Sequence, residues 1–247
     1  MSRKHTRATP LIVIKSEATD PDASEPAVRE IIRALQYQIT EHFQPAWGIG
    51  ATIIYDEGDT YENVYRLNVV QTGTEEDQGF FGYHFSDGGY PVATIFAEED
   101  LKGDKTISDT LSHEILEMLV DPACNLYAHR PADDGRPARG YFYEICDPVQ
   151  SMKYDIFGHP VCDFVYPEWF EYMWEPASRP FDHLGALGEP FEILEGCYAD
   201  IYERKPGRAG RFVTVWGPES EVNDRKKEKP RKRRRSNLRQ RNRGDQH

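Results

Sequence analysis

His113 and Glu117 stand four residues apart in the segment SHEILEMLVDP, residues 112–122, with Glu114 and Asp121 beside them. Imidazole nitrogen and carboxylate oxygen are donors that zinc and similar divalent cations accept. Residues four apart are neighbours on a helix surface, so His113 and Glu117 can offer both donors to one ion. Stepping about 100° per residue from Leu111 puts His113 at about 200°, Glu117 at about 240°, Asp121 at about 280° and Glu114 at about 300°. One imidazole and three carboxylates therefore share a single strip. Glu114 points to the side of the His113/Glu117 pair, where it can take a proton from water activated by the metal. Bound zinc lowers the pKa of water to about 7 in known enzymes, and a carboxylate base then suffices. Asp121, one turn on, can bind the ion or orient His113 from outside the coordination sphere.

The bland reading of the same residues is the solvated face of an amphipathic helix. The rest of the segment weighs against it, because Leu111, Ile115, Leu116, Met118, Leu119 and Val120 cover an arc of about 200° and leave only a narrow polar strip. Such a helix is mostly buried. It is expected over residues 109–120, with Ser108 as N-cap, Asp109 in the first turn and Pro122 just past the end.

Other elements must carry this helix. Residues 11–14 read as a strand and residues 16–26 as a polar, proline-broken connector. Val28, Ile31, Ile32, Leu35, Ile39 and Phe43 recur at helical spacing over residues 27–43, with Pro45 and Gly48 ending the run. Strands follow at residues 51–55, 65–71 and 92–96. The stretch FFGYHFSDGGYPVATIF, residues 80–96, has a Gly-Gly turn and Pro91, which fits an edge strand. An edge strand ahead of the helix can offer backbone N–H and C=O groups to an extended peptide. Residues 131–196 are loop-rich and residues 211–216 read as a strand. The expected fold is α+β: a mixed twisted sheet whose edge strand precedes a buried metal-binding helix, with a loop-rich C-terminal half. The expected divisions are residues 1–24 (strand and connector), 25–220 (the main domain) and 221–247 (a basic tail, disordered for want of apolar residues).

At this point a family pattern emerges. SHEILEMLVDP resembles the H-E-x-x-E-x-x-x-D-P variant of the zinc metallopeptidase (zincin) helix found in bacterial and phage proteins and, more distantly, in plant phosphate-induced, exordium-like proteins. GYHFSDGGYPVATIF, YEICDPVQ (residues 143–150) and VCDFVYPEWF (residues 161–170) resemble other fixed blocks of the bacterial group, over residues 80–198. The resemblance implies a zincin-like fold, one zinc ion, His113 as ligand, Glu114 as base and a peptide or protein substrate. The departure from ordinary zincins is Glu117 in place of the second histidine. A more anionic set donates more charge and weakens the metal as a Lewis acid.

Catalytic zinc usually has three protein ligands. Asp147 and Glu144, in YEICDP, are the first candidates for the third, with Asp121 the other; Asp147 before Pro148 also reads as an ordinary turn residue. His129, Tyr143 and Tyr154 are candidates to stabilise an oxyanion. His159 and Cys162 form an H-x-x-C pair that suits either a second metal site or a turn at Gly158, His159 and Pro160. The aromatic residues Phe164, Tyr166, Trp169, Phe170, Tyr172 and Trp174 read as core before substrate wall. FDHLGALGEPFEILEGCY, residues 181–198, reads as a loop packed beneath them, with His183 a structural histidine before a metal or substrate contact.

The formal charge of −12 hides two opposite parts. Residues 225–247 carry 12 basic and 2 acidic residues, so the remainder stands at −22. An acidic body repels nucleic acid and suits cations, whereas Arg231, Lys232, Arg233, Arg234 and Arg235 can hold phosphate backbones or another acidic surface. No aromatic residue interleaves with them, so such binding would be blind to sequence and sensitive to salt. The four cysteines are scattered, with no C-x-x-C pair. The longest apolar run is far short of a membrane span, and no export signal opens the chain, which suggests an intracellular protein. Two functions follow as expectations: a metal-dependent hydrolase, or a non-catalytic metal-stabilised structural or virion-associated protein whose tail binds nucleic acid or an acidic partner.

Overall fold

The structure is a computed structural model that describes residues 9–74, 77, 80–103, 105–132, 137–172, 180–203 and 210–218. Strand β1 (Leu11–Ser16) leads through helix α1 (Glu25–Tyr37) to β2 (Thr52–Tyr55) and β3 (Tyr65–Val70). A hairpin of β4 (Gly82–Asp87) and β5 (Tyr90–Phe96) follows, then α3 (Ala97–Lys102) and α4 (Ile107–Val120). The sheet order is β2-β1-β3-β5-β4; β1, β2, β3 and β5 run parallel and β4 runs antiparallel to β5. Ile12, Val13 and Ile14 of β1 are all buried, as suits an interior strand covered on both faces. Strand β1 is thus an interior strand of the main sheet.

Among the described residues β4 is the last strand of this sheet, so the edge expected within residues 80–96 is its first half. Pro91 lies instead on β5, one residue ahead of the first β3 partner, Val92. A missing N–H is harmless there because the parallel ladder begins after it. A Cβ at Gly82 would come within 2.9 Å of Ile95 Cδ1 and 3.3 Å of Thr110 Cγ2. Glycine therefore allows β4 to approach α4, and His84, two residues on, faces the same helix.

The helical run expected over residues 27–43 begins as α1, continues through Pro45 and stops at Gly48, the second of its two expected ends. Pro45 has no N–H to donate, and the turn before it widens into π geometry over Gln38–Phe43, where Gln44 N reaches back to Ile39 O. A last α turn, α2 (Gln44–Trp47), ends at Gly48 with φ 68°. Buried Gln38 then ties α1 to the second half through Cys162 O at 2.9 Å and Tyr154 Oη at 3.2 Å.

The second half holds an antiparallel sheet of β6 (Tyr127–Arg130), β7 (Arg139–Phe142), β10 (Tyr198–Glu203) and β11 (Arg211–Trp216), in the order β11-β10-β7-β6. A separate hairpin joins β8 (Lys153–Ile156) to β9 (His159–Cys162). Its turn is Phe157 and Gly158, both at positive φ, so His159 and Pro160 belong to the strand and not to the turn. Phe164, Trp169 and Phe170 are buried, and Phe181, Leu187, Phe191 and Ile193 of the following loop pack with them. These aromatics are core. Tyr172 is exposed, while Trp174 and the basic tail with Arg231, Lys232, Arg233, Arg234 and Arg235 lie outside the described residues.

Apolar side chains of both halves form one continuous core with α4 at its centre. All 14 residues of α4 are buried. It packs on α1, α3, β4, β5 and β9. Its N-cap is Thr106, whose hydroxyl accepts from Asp109 N at 3.2 Å, not Ser108 as the sequence suggests. Ser108 donates instead to Pro160 O of β9 at 2.6 Å. No helix among the described residues is long and apolar enough to cross a membrane.

Candidate metal centre

Helical spacing brings His113 and Glu117 together on successive turns of α4, with His113 Nε2 3.3 Å from Glu117 Oε1. A third donor arrives from the short helical turn Asp147–Val149, where Asp147 Oδ1 lies 3.3 Å from the same Nε2. The residue before the turn ties it to α4, Cys146 N donating to Glu117 Oε1 at 3.3 Å, while Pro148 O accepts from Leu194 N of the following loop at 3.0 Å. Two donors bound tetrahedrally at 2.0–2.1 Å from one ion stand about 3.3 Å apart. Both separations at His113 match that edge. The three residues are 1–2 % exposed.

Glu114 faces a different neighbour. Its Oε2 lies 2.8 Å from Nδ1 of His84 on β4, and Glu117 Oε2 lies 3.9 Å from that same nitrogen. Glu117 thus presents one oxygen to each histidine. Its carboxyl is pushed well above the usual carboxylate range, first by burial and then by Asp147, Glu144 and Glu114, with His84 opposing. So much negative charge in a desolvated place requires protons or cations. Among the described residues, three buried groups have ligand atoms within 4.8 Å of one another: His113, Glu117 and Asp147; His84, Glu114 and Glu117; and His113, Cys146 and Cys162. Residues able to hold a metal ion are therefore present at the expected helix.

Asp121 and Glu144 belong to none of these groups among the described residues. Asp121 caps α4: its N–H donates to Glu117 O at 2.9 Å, and its Oδ2 accepts from Leu126 N at 2.9 Å. Its carboxyl is raised, mainly by burial. Glu144 is 4 % exposed and close enough to raise both Glu117 and Asp121. None of the three oxyanion candidates joins these groups. His129 is exposed on β6, Tyr143 stacks on Phe170 with ring centroids 4.1 Å apart, and Tyr154 Oη meets His42 Nδ1 at 3.1 Å. His183 stacks between Phe164 and His42 and meets Tyr166 Oη at 3.2 Å.

His159 and Cys162 do not make a site. Three residues apart on a strand they face opposite ways, and His159 lines a surface cleft while Cys162 is fully buried. Cys162 Sγ meets Cys146 Sγ at 3.5 Å and Ser112 Oγ at 2.9 Å. Burial, and next the Cys162 neighbour, hold the Cys146 thiol well above its ordinary value, so its sulfur acts as a small buried hydrophobe.

His84 is the residue that sequence reasoning passed over. Its one signal is the alternation of β4, which puts Gly82 and His84 on the inward face just before the helix.

No family model, curated protein or solved structure matches this chain.

Proposed function

We propose that this chain is a zinc-dependent hydrolase, peptidase-like in chemistry and zincin-like in architecture, with one zinc ion held by His113, Glu117 and Asp147. The observation that carries the reading is that His113 Nε2 stands 3.3 Å from both Glu117 Oε1 and Asp147 Oδ1 inside the core, with the ligand atoms of all three within 4.8 Å of one another. An imidazole in the set favours zinc over magnesium, which takes oxygen donors and keeps its waters. When bound, zinc supplies a Lewis acid that polarises a carbonyl and lowers the pKa of water.

Glu114 accepts the proton of the attacking water and returns it to the leaving group. His84, 2.8 Å from Glu114 Oε2, holds that carboxylate in one orientation. Strand β4 carries His84 and stands last in its sheet among the described residues. Its position beside α4, with the resemblance of the helix to zincins, supports an extended peptide as substrate. Two carboxylate ligands leave the ion less electrophilic than a two-histidine set would.

The test is hydrolysis of an unfolded protein such as casein by the full-length chain. Activity should vanish with chelator and return with zinc. Glu114→Gln should keep the zinc and lose about 100- to 10,000-fold in rate, the usual contribution of a general base. A Glu114→Gln protein as active as the parent ends the catalytic reading.

One observation favours a second reading. The donors are 1–2 % exposed, and closed donor sets are the mark of structural zinc. On this reading zinc pins the Asp147–Val149 turn to α4, and the basic tail does the binding, to nucleic acid or an acidic partner. Glu114→Gln would then leave function intact. Removal of residues 225–247 would abolish nucleic-acid affinity at low salt, and unchanged affinity would dismiss the role.

A further inference from the structure

The two histidines facing Glu117 belong to different elements, His113 to α4 and His84 to β4. Each lies with Glu117 and one more carboxylate in a group whose ligand atoms are all within 4.8 Å: Asp147 beside His113, Glu114 beside His84. We propose that the centre takes two divalent cations bridged by Glu117, the second held by His84 Nδ1, Glu114 Oε2 and Glu117 Oε2.

The shape of Glu117 makes the bridge. Its Oε1 lies 3.3 Å from His113 Nε2 and its Oε2 lies 3.9 Å from His84 Nδ1, so one carboxylate faces both positions with different oxygens. Paired cations in such sites stand about 3.5–4 Å apart, the span that a bridging carboxylate covers. The donor count agrees: each position has one imidazole and two carboxylate oxygens, the composition that borderline divalent cations accept. The composition agrees as well: Glu114, Glu117, Asp147 and Glu144 are all buried around His84 and His113, themselves about 1–2 % exposed, more carboxyl groups than a single dication can neutralise.

The 2.8 Å contact between His84 and Glu114 is a hydrogen bond, shorter than two ligands of one ion stand. A proton and the second cation therefore compete for the same pair of atoms. The second ion enters by displacing that proton, and it takes Glu114 as a ligand. On the reading of Glu114 as general base, on which this consequence rests, the first ion activates and the second inhibits.

The test is zinc stoichiometry of metal-stripped, full-length protein by equilibrium dialysis and elemental analysis, with folding checked by circular dichroism. Wild type should bind two equivalents, and His84→Ala and Glu114→Ala one each. One equivalent in wild type overturns the second position and leaves the first standing. No equivalent in wild type removes both the bridge and the zinc reading. Two equivalents in both folded variants place the second ion elsewhere and overturn the proposal, as does loss of both equivalents from both folded variants. If His84→Ala fails to fold, Glu114→Ala alone decides. Hydrolysis measured against added zinc should rise and then fall. A rise to a plateau with two equivalents bound refutes the inhibitory role alone.

Discussion

Asp147 is the residue whose role the geometry separates most sharply from that of its neighbours. It shares the turn with Cys146, whose N–H holds Glu117, and it reaches the same nitrogen of His113 that Glu117 does. Glu144, three residues earlier, raises Glu117 through space but joins no ligand group. Asp147→Ala should therefore weaken zinc by more than the 10- to 100-fold that loss of an outer partner typically costs, and Glu144→Ala by no more than that range. Competition with a chromophoric zinc chelator measures both. Equal effects would mean that Glu144 also binds the ion. His113→Ala should lose the ion held with Asp147, and Glu117→Ala, which removes the shared carboxylate, should empty the centre in elemental analysis; full occupancy in both would remove the centre altogether.

Helix α4 is built for support more than for exposure. Every residue is buried, so its polar strip faces β4, the Asp147–Val149 turn and β9 rather than solvent. Its start depends on Thr106, and Thr106→Ala should cost about 1 kcal/mol, the usual worth of an N-cap. Leu116, outside that strip, is fully buried, and Leu116→Ala should cost about 2–5 kcal/mol through the cavity it leaves. Urea unfolding of the two variants checks the ranking, and a Thr106→Ala loss as large as that of Leu116→Ala would contradict it. This element was largely legible from sequence because 3.6-residue periodicity is local information. The N-cap was not: Ser108 is the better cap by type, but in the fold its hydroxyl is engaged by Pro160 O on β9 and Thr106 takes the role. Widening of α1 before Pro45 was equally invisible, because proline marks where a helix is strained and not how the chain accommodates it.

At the scale of the whole molecule, two buried acid clusters govern stability. Zinc binding should raise the melting temperature, since a ligand at about 1,000 times its dissociation constant adds about 4 kcal/mol. Chelation should lower it, and added zinc restore it; an unchanged melting temperature would argue against a bound metal. The second cluster is Asp163 and Asp182 in the loop-rich half, where Asp163 is raised to about 8 by burial and by the hydrogen bond and charge of Asp182. Asp163 is protonated in the folded chain at neutral pH and ionised in the unfolded chain. Its contribution to stability is full below the ordinary aspartate range and fades as pH rises toward 8. Asp163→Asn keeps a donor toward Asp182 and should reduce this loss. Denaturation at pH 5 and pH 8 should show the parent losing more stability than the variant. Parallel losses would refute the shared proton.

The sequence alone determined the contents and angular order of the α4 strip, the edge strand before it and the opposed charges of body and tail, because each depends on near neighbours along the chain. Tertiary structure decided which distant groups complete the centre. Residues 147 and 84 reach α4 only through a returning turn and the antiparallel placement of β4, and local periodicity encodes neither. It also decided that the strip is sealed in the core, since a helical wheel gives direction while burial depends on what packs against that direction.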